Sequence, residues 1–296
     1  QLRNPGTTPK TFDATSRYTG FASAHNIAVN EESGFAYVVG SNVCSGGLHI
    51  VDLRAPAAPT EAGCFSGDGY THDAQCVTYS GPDSEHRGKE ICFASNEDTL
   101  TIVDVTDKSS PVMLSRIGYD NSGYIHQGWL TEDQRYFLLD DEADESIFGH
   151  NTRSYTFDLA DLDTPVLAGF FDADGQAIDH NQYIKGRHVY QANYARGLRI
   201  LRLDNPATAS MTEVGFLDTV PGFDANSFSG AWSTYPYFGS GVVLISDISR
   251  GLFVVQPRLP DDDLFSDGFE SGSTGQWGNR QKRTKAAGDS DAGAEK

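Results

Sequence analysis

Short runs of alternating apolar and polar residues recur along the chain, and four such runs make one repeating unit. In the first copy they predict strands at 25–29, 35–39, 48–53 and 60–65. Turn-forming sequences separate them, for example Asn30-Glu31-Glu32-Ser33-Gly34 and Gly46-Gly47. Four short strands in meander order are typical of one blade of a β-propeller.

The same unit is found three more times, followed by an incomplete fifth copy. The predicted strands are 73–79, 90–94, 100–105 and 112–117, then 127–130, 136–139, 154–159 and 166–171, then 181–184, 188–191, 198–203 and 212–217, and finally 230–233, 242–246 and 252–256. A repeat of about 50 residues indicates a propeller or solenoid. The predicted fold class is therefore an all-β propeller of four-stranded antiparallel blades, about five of them, spanning residues 1–258.

The two ends of the chain differ from these repeats. Residues 1–20 resemble the outer strand of a preceding blade. If this strand completes the fifth blade, five blades can close; otherwise the chain is an arc of a larger ring. Residues 259–278 form an acidic motif with Phe and Gly, and residues 279–296 form a polar tail that we expect to be disordered. The chain begins at Gln1 and is interpreted as a mature or truncated product.

A histidine opens each of the first four units, and the fifth has Phe228-Ser229-Gly230-Ala231-Trp232 instead. In a propeller the first strand of each blade lines the central channel, so these histidines and the loops between second and third strands are expected to meet at one mouth. The predicted channel-mouth binding residues are His25, His72, His126, His180, Asn42, Asn96, Glu97, Asn193 and Asp247.

The same mouth is a candidate metal site. Neutral imidazoles suit Zn²⁺, and a dense acidic loop offers oxygen ligands to Ca²⁺. The predicted metal ligands are His25, His72, His126, His180, Asp140, Asp141 and Glu142. In the alternative interpretation each histidine bonds to the backbone of a neighbouring blade, and the acidic loop is merely solvated.

Four cysteines, Cys44, Cys64, Cys76 and Cys92, lie close together in the sequence. An even number without a Cys-x-x-Cys pair favours disulfides over zinc or redox chemistry. Cys76 and Cys92 lie on two strands that can form a hairpin, which leaves Cys44 to pair with Cys64. This predicts an oxidising, extracytoplasmic compartment; free buried thiols are the alternative.

Composition narrows the possible partners. The chain has 41 Asp and Glu against 22 Lys and Arg, a formal net charge of −19, which argues against nucleic acid and anionic membranes as partners. No apolar run is long enough to predict a membrane-spanning helix.

Several strings resemble a known class of repeat protein. Three third-strand sequences resemble the LVIVD repeat of bacterial and archaeal surface proteins: Leu48-His49-Ile50-Val51-Asp52, Leu100-Thr101-Ile102-Val103-Asp104 and Leu198-Arg199-Ile200-Leu201-Arg202. The strings Ser23-Ala24-His25-Asn26, Gly69-Tyr70-Thr71-His72-Asp73 and His126-Gln127-Gly128-Trp129 are similar to the choice-of-anchor B family. That resemblance implies a secreted or cell-surface propeller, one or two further blades upstream, and a ring of about seven. It implies no enzymatic activity.

Two functions remain open on these grounds. The first is a non-enzymatic binding protein that takes a protein, glycan or small ligand at the channel mouth, with or without a divalent metal. The second is a metal-dependent, lactonase-like hydrolase that uses the same histidines and carboxylates. The chain contains no nucleophile elbow, phosphate loop or dinucleotide fingerprint, so the sequence favours the first.

Overall fold

The computed structural model describes residues 17–259, which form five antiparallel sheets arranged as propeller blades. The chain divides into two units, Gln1–Gln256 and Pro257–Lys296, and all the strands described lie in the first. The predicted acidic motif and polar tail fall outside the described residues, except for residue 259. Of the predicted strand at 1–20, only residues 17–20 are described, and they form no strand.

Each of the first four blades has four strands in sequence order, and the fifth has three within the described residues. Blade 1 contains β1 (Asn26–Asn30), β2 (Phe35–Val39), β3 (Leu48–Asp52) and β4 (Thr60–Phe65). Blade 2 contains β5 (Asp73–Thr78), β6 (Glu90–Ser95), β7 (Leu100–Asp104) and β8 (Val112–Ile117). Blade 3 contains β9 (Ile125–Leu130), β10 (Tyr136–Asp141), β11 (Arg153–Asp158) and β12 (Val166–Asp172).

Blade 4 contains β13 (Asn181–Lys185), β14 (His188–Ala192), β15 (Leu198–Asn205) and β16 (Ser210–Leu217). Blade 5 contains β17 (Ala231–Tyr235), β18 (Val243–Asp247) and β19 (Gly251–Val255). Every predicted strand from residue 25 onward is therefore confirmed to within two residues at either end. The sequence did not predict a short helix, α1 (Asp144–Phe148), in the acidic loop of blade 3, or the two 3₁₀ turns Cys44–Gly46 and Pro206–Thr208.

The hydrophobic core lies between blades. Strands β2, β3, β6 and β7 are buried on both faces because each blade is sandwiched between neighbours, whereas the outer strands β4 and β8 are largely exposed. Between blades 2 and 3, for example, Phe93 stacks on Phe137 at a ring-centroid distance of 5.7 Å. Burial on both faces explains the nearly continuous apolar third strands seen in the sequence.

A bulge recurs between the third and fourth strands of the first four blades. The register shifts at Ile50/Val51, Ile102/Val103, Thr156/Phe157 and Ile200/Leu201. The residue opposite the shift is a glycine in three of the four blades. At one of them, Gly63, an added Cβ would overlap the carbonyl oxygen of Lys108 in the next blade. The bulge thus allows close approach of neighbouring blades.

Polar side chains also join the inner strands. The Oε1 atom of Gln75 accepts from the N–H of Leu130 at 2.8 Å, and that of Gln127 accepts from the N–H of Gln182 at 2.9 Å. Successive inner strands, β1 to β5 and onward to β17, therefore lie side by side around the axis. Among residues 17–259, no contact of similar extent joins β17 back to β1.

Both predicted disulfides are confirmed. Cys76 and Cys92 are directly opposite in the β5–β6 hairpin, with Cα atoms 4.0 Å apart. Cys44 in the 3₁₀ turn pairs with Cys64 on β4 across 5.7 Å. The two bonds close loops whose ends are 20 and 16 residues apart, so each restricts the unfolded chain.

We expect removal of the hairpin disulfide by the double substitution Cys76→Ser and Cys92→Ser to lower the free energy of unfolding by about 3 kcal/mol. The reason is that the bond closes a loop whose ends are 16 residues apart. Urea unfolding of the oxidised protein measures the change. The double variant Cys44→Ser and Cys64→Ser removes a bond that closes a loop of similar length, so we expect a comparable loss of unfolding free energy. An unchanged midpoint for both double variants would contradict a stabilising role.

Candidate functional site

The four repeat histidines form a continuous arc around the channel. Successive rings are in contact and tilted by 40–46° to one another, with centroids 3.9 Å apart for His25 and His72, and 4.2 Å apart for His72 and His126 and for His126 and His180. Trp232 continues the arc at 4.2 Å from His180. The fifth unit therefore places an indole where the other units have an imidazole.

Hydrogen bonds at Nδ1 hold these rings. His72 Nδ1 bonds to the carbonyl oxygen of His126 at 3.1 Å, and His180 Nδ1 bonds to that of Trp232 at 2.5 Å. His126 Nδ1 lies 3.2 Å from Asp140 Oδ1. A carbonyl oxygen accepts only, so Nδ1 carries the proton in His72 and His180, and a hydrogen bond to the backbone of His180 favours the same tautomer in His126. In each ring the Nε2 lone pair is then free.

The carboxylate of Glu142 faces the Nε2 lone pairs of two of these histidines. Its Oε2 lies 3.9 Å from Nε2 of His126, and its Oε1 lies 3.6 Å from Nε2 of His180. The hydroxyl of Tyr194 donates to Oε1 at 2.6 Å. One donor atom from each of His126, Glu142 and His180 lies within 4.8 Å of the other two. Three electron-pair donors thus converge at one point of the mouth, which we call the His-Glu-His group.

Burial keeps these imidazoles neutral. His126 and His180 are 2% and 3% exposed. Desolvation lowers the pKa of His180 to about 4 and places the pKa of His126 well below its usual range. Neutral imidazole is the form that binds metals. Desolvation also raises the pKa of Glu142, and its hydrogen bond from Tyr194 opposes this shift.

The remaining predicted metal ligands have other positions. His72 is buried, whereas His25 is exposed at the end of the arc, and neither belongs to the His-Glu-His group. Asp140 is fully buried behind His126. Asp141 accepts hydrogen bonds from the Tyr119 hydroxyl and from two backbone N–H groups of the loop before β9, so it fixes the position of that loop.

The predicted loop residues mostly stabilise turns. Asn42 Oδ1 accepts from the N–H groups of residues 22 and 23, and Asn96 Nδ2 donates to Asp68 at 2.9 Å. Asp247 Oδ1 accepts from the N–H groups of residues 249 and 250. The Asn193 side chain is buried, and its Oδ1 has no hydrogen-bond partner. Glu97 is the one exposed carboxylate among them that borders aromatic rings.

Tyrosines at the mouth were not predicted. Tyr70 and Tyr124 each lie two residues before a channel histidine, and the Tyr124 ring contacts His72 edge-on at 5.2 Å. Burial, together with a hydrogen bond to Glu97, raises the pKa of Tyr124. Tyr194 contacts His180 at 5.0 Å. The recurrence of Tyr before His in two units was the available signal in the sequence.

A second compact group of ligand-type residues, Asp83, His86 and Asp163, lies where loops of blades 2 and 3 meet. Here both nitrogens of His86 are engaged: Nε2 is 3.0 Å from Asp163 Oδ2, and Nδ1 is 3.2 Å from the Lys89 ammonium. Because the Lys89 ammonium can only donate, His86 donates in turn to Asp163. This group is a satisfied contact between blades.

Comparisons with known proteins agree with the fold. The family model of the LVIVD repeat matches residues 22–66 and 88–118, which include blade 1 and most of blade 2. No curated protein matches the chain. In the part of the chain that the structure describes, no helix is long and apolar enough to cross a membrane.

Solved structures of similar fold have little sequence identity to this chain. A protein from Lactobacillus plantarum has a TM-score of 0.57 at 14% identity, over 79% of this chain and 67% of its own. The periplasmic gluconolactonase of Pseudomonas aeruginosa has a TM-score of 0.56 at 13% identity, over 78% and 65%. Kuenenia stuttgartiensis hydrazine synthase has a TM-score of 0.53 at 11% identity, over 83% and 68%. The chain thus spans about two thirds of each of these proteins, and the likeness extends to the propeller fold alone.

Proposed function

We propose that this propeller is a binding protein that holds a divalent transition-metal ion, with Zn²⁺ as the best fit, in the His-Glu-His group at its channel mouth. One observation carries the proposal: Nε2 of His126, Nε2 of His180 and a carboxylate oxygen of Glu142 face one another, and the tautomers assigned above leave no proton between them. Three facing acceptors repel one another unless a cation or an added proton lies between them. The lowered pKa of both histidines disfavours a proton on the imidazoles, whereas burial raises the pKa of Glu142 and favours a proton there over an unoccupied group of three acceptors.

The donor types and distances suit zinc. Bonds of about 2.0–2.2 Å to nitrogen and oxygen at tetrahedral angles require donor atoms about 3.3–3.6 Å apart. The separations of 3.6 and 3.9 Å between Glu142 and the two imidazoles are close to that range.

Supporting residues surround the three ligands. Asp140 orients His126 from behind, as carboxylates commonly do for metal-binding histidines, and Tyr194 holds Glu142. Three protein ligands leave a coordination position for an exogenous donor. Tyr194 and Trp232 contact His180, so we propose that a group on a protein, glycan or small molecule binds beside these rings.

The proposed setting is extracytoplasmic, in a secreted or cell-surface protein of the choice-of-anchor B type. Two disulfides in a chain of this size support an oxidising compartment. The LVIVD repeat match and the strings quoted for the choice-of-anchor B resemblance support the family.

We expect the variants His126→Ala and His180→Ala to lose Zn²⁺ binding, because each removes one of three ligands. Asp140→Asn should weaken binding by about 10–100-fold, since it disturbs the orientation of His126. Titration calorimetry with Zn²⁺ on metal-stripped protein gives the affinities, and metal analysis gives the stoichiometry.

Two other histidines of the arc serve as controls. His25→Ala should bind Zn²⁺ like the parent protein. His72→Ala should also keep Zn²⁺ binding but lose about 1 kcal/mol of stability with its hydrogen bond to blade 3. Equal loss of Zn²⁺ binding in all four histidine variants, or no binding by the parent protein, would exclude the proposed ligand set.

A metal-dependent hydrolase is the second candidate. The open coordination position favours it, because catalytic zinc sites commonly have three protein ligands and a water. The gluconolactonase among the structural neighbours makes lactones a reasonable substrate class. Zinc lowers the pKa of bound water to about 7 and so supplies a nucleophile at neutral pH.

If the hydrolase candidate is correct, the zinc-loaded protein will open small sugar lactones faster than buffer does. Activity should vanish on chelation and in the Glu142→Gln variant. A pH-stat assay on a panel of aldonolactones measures it. If the protein binds Zn²⁺ but hydrolyses no lactone in the panel, lactone hydrolysis is excluded and the binding function is retained.

We further propose that additional blades complete a ring of about seven. On blade 5 one face packs on blade 4, and the opposite face presents Tyr235, Leu252 and Val254, with Leu252 and Val254 64% and 63% exposed. On blade 1, Ile27 and Val29 of the inner strand are exposed. These apolar faces resemble uncapped ends of a repeat array.

We therefore expect residues 1–296 alone to self-associate through these faces. The double substitution Leu252→Lys and Val254→Lys should reduce association, seen by sedimentation velocity, without lowering the melting temperature. Val112→Lys on the outer strand β8 is the control, because Val112 is also exposed but lies away from both faces. A monodisperse parent monomer with cooperative melting would instead support a closed five-bladed ring.

A further inference from the structure

The two disulfides of the protein have different surroundings. Cys76 and Cys92 are 6% and 0% exposed and belong to the hydrophobic core between blades 1 and 2. Cys64 is exposed on the outer strand β4, and Cys44 is half-buried in the 3₁₀ turn. A thiol in solution can therefore reach Cys64, whereas the folded protein shields the other pair.

A histidine lies beside the exposed disulfide. His49 on β3 is directly opposite Cys64, is 2% exposed, and its Nδ1 lies 3.6 Å from Cys44 Sγ. Its Nε2 lies 2.8 Å from the Tyr18 hydroxyl. The sulfur of a disulfide carries no proton, so in this contact Nδ1 donates and Nε2 accepts from Tyr18. The rings of Tyr18 and Phe21 pack on the imidazole at centroid distances of 5.7 and 6.0 Å and hold it in place.

The repeat itself does not require a histidine at this position. His49 comes one residue before the bulge of the third strand, and the same position in blades 2 to 4 holds Thr101, Tyr155 and Arg199. The imidazole is thus particular to the blade that carries the exposed disulfide.

We propose that Cys44–Cys64 is an exchange-active disulfide, in which an external thiol attacks Cys64 and Cys44 leaves as a thiolate stabilised by His49. The attacking thiolate forms a bond to Cys64 Sγ while the Cys44–Cys64 bond breaks, and the electron pair of that bond passes to Cys44 Sγ. Nδ1–H of His49 donates a hydrogen bond to the leaving thiolate, which then takes a proton from water. A more stable thiolate leaves faster. A second thiol attacks the mixed disulfide at the sulfur of the first, releases Cys64 and completes the reduction, so that two external thiols are oxidised to their disulfide.

The turn that contains Cys44 gives this exchange a structural consequence. Cys44 and Ser45 have φ angles of 53° and 54°, in the left-handed region that non-glycine residues adopt only where their surroundings hold them. The carbonyl oxygen of Gly46 in this turn accepts from the N–H of Thr71 at 3.1 Å, and Thr71 precedes His72 of the channel arc. Cleavage of the disulfide would therefore release the turn and loosen the segment that enters β5. The proposal does not depend on metal binding, because these residues lie outside the His-Glu-His group.

Peptide mapping of the folded full chain, treated with reduced glutathione and then alkylated, tests the direction of attack. At early times we expect glutathione on Cys64, an alkyl label on Cys44, and an intact Cys76–Cys92 disulfide. Glutathione on Cys44 with the label on Cys64 would overturn the proposal. Reduction of both disulfides at equal rates, or resistance of Cys44–Cys64 until the protein unfolds, would overturn it as well.

The substitution His49→Phe tests the role of the imidazole, because it keeps a ring of similar size and removes the donor. We expect it to slow the first exchange step by about tenfold, since it removes a hydrogen bond to a charged group. Circular dichroism checks folding. In the variant Cys64→Ser the free Cys44 thiol should have a pKa below the usual value of about 8.5, and adding His49→Phe should raise that pKa. An unchanged exchange rate, or the same Cys44 pKa with and without His49→Phe, would overturn the assigned role of His49.

Amide hydrogen exchange at Thr71 tests the release of the turn. After selective reduction of Cys44–Cys64 and alkylation of both thiols, we expect this amide to exchange faster, because its acceptor on Gly46 is no longer held in place. The amide of Tyr79, which donates to the carbonyl of Lys89 at the far end of the same blade, is the control and should keep its rate. An unchanged rate at Thr71 would contradict the proposed release.

Discussion

The arrangement of the channel mouth depends on one hydrogen bond, which joins Nδ1 of a histidine to the backbone of the next blade. His72 and His180 make this bond, and it links adjacent inner strands where the channel is open to solvent. Because the bond uses the Nδ1 proton, it also determines that Nε2 presents a lone pair. The two sequence-based interpretations of the histidines, as links between blades and as ligands, are therefore compatible: each nitrogen of the ring serves one of them.

Differences between the repeats explain why a ligand group forms at only one position of the arc. All four histidine rings contact their neighbours, yet among the described residues a carboxylate faces two Nε2 atoms only where blade 3 meets blade 4. There the loop after β10 is longer than in the other blades and carries Glu142 and α1. At His72 and His25 the arc continues without such a carboxylate in the compact group. The imidazoles come from a position that recurs in four repeats, whereas the carboxylate of Glu142 comes from one irregular loop.

The fold was predictable from the sequence because its determinants are local and repeated. Alternation, turn residues and the apolar third strand gave the strands of all five blades, and the position of Cys76 opposite Cys92 followed from a single hairpin. The site was predictable only in part. The entry position of the histidines identified His126 and His180, and the acidic loop included Glu142. Nothing in the spacing distinguished Glu142 from Asp141. They differ because Glu142 faces His126 and His180, whereas Asp141 is enclosed by its own loop.

The contacts that the sequence did not predict are those between repeats. The hydroxyl of Tyr194 in blade 4 donates to Glu142 of blade 3 across their boundary. Such pairs have no fixed separation in sequence, because the distance depends on the length of the irregular loop. They also concentrate buried carboxylates in one region of a chain whose net charge is already −19. Self-repulsion of this kind opposes folding, and bound cations relieve it most effectively where the carboxylates are buried. The proposed metal site would therefore bind its cation at the boundary between blades 3 and 4.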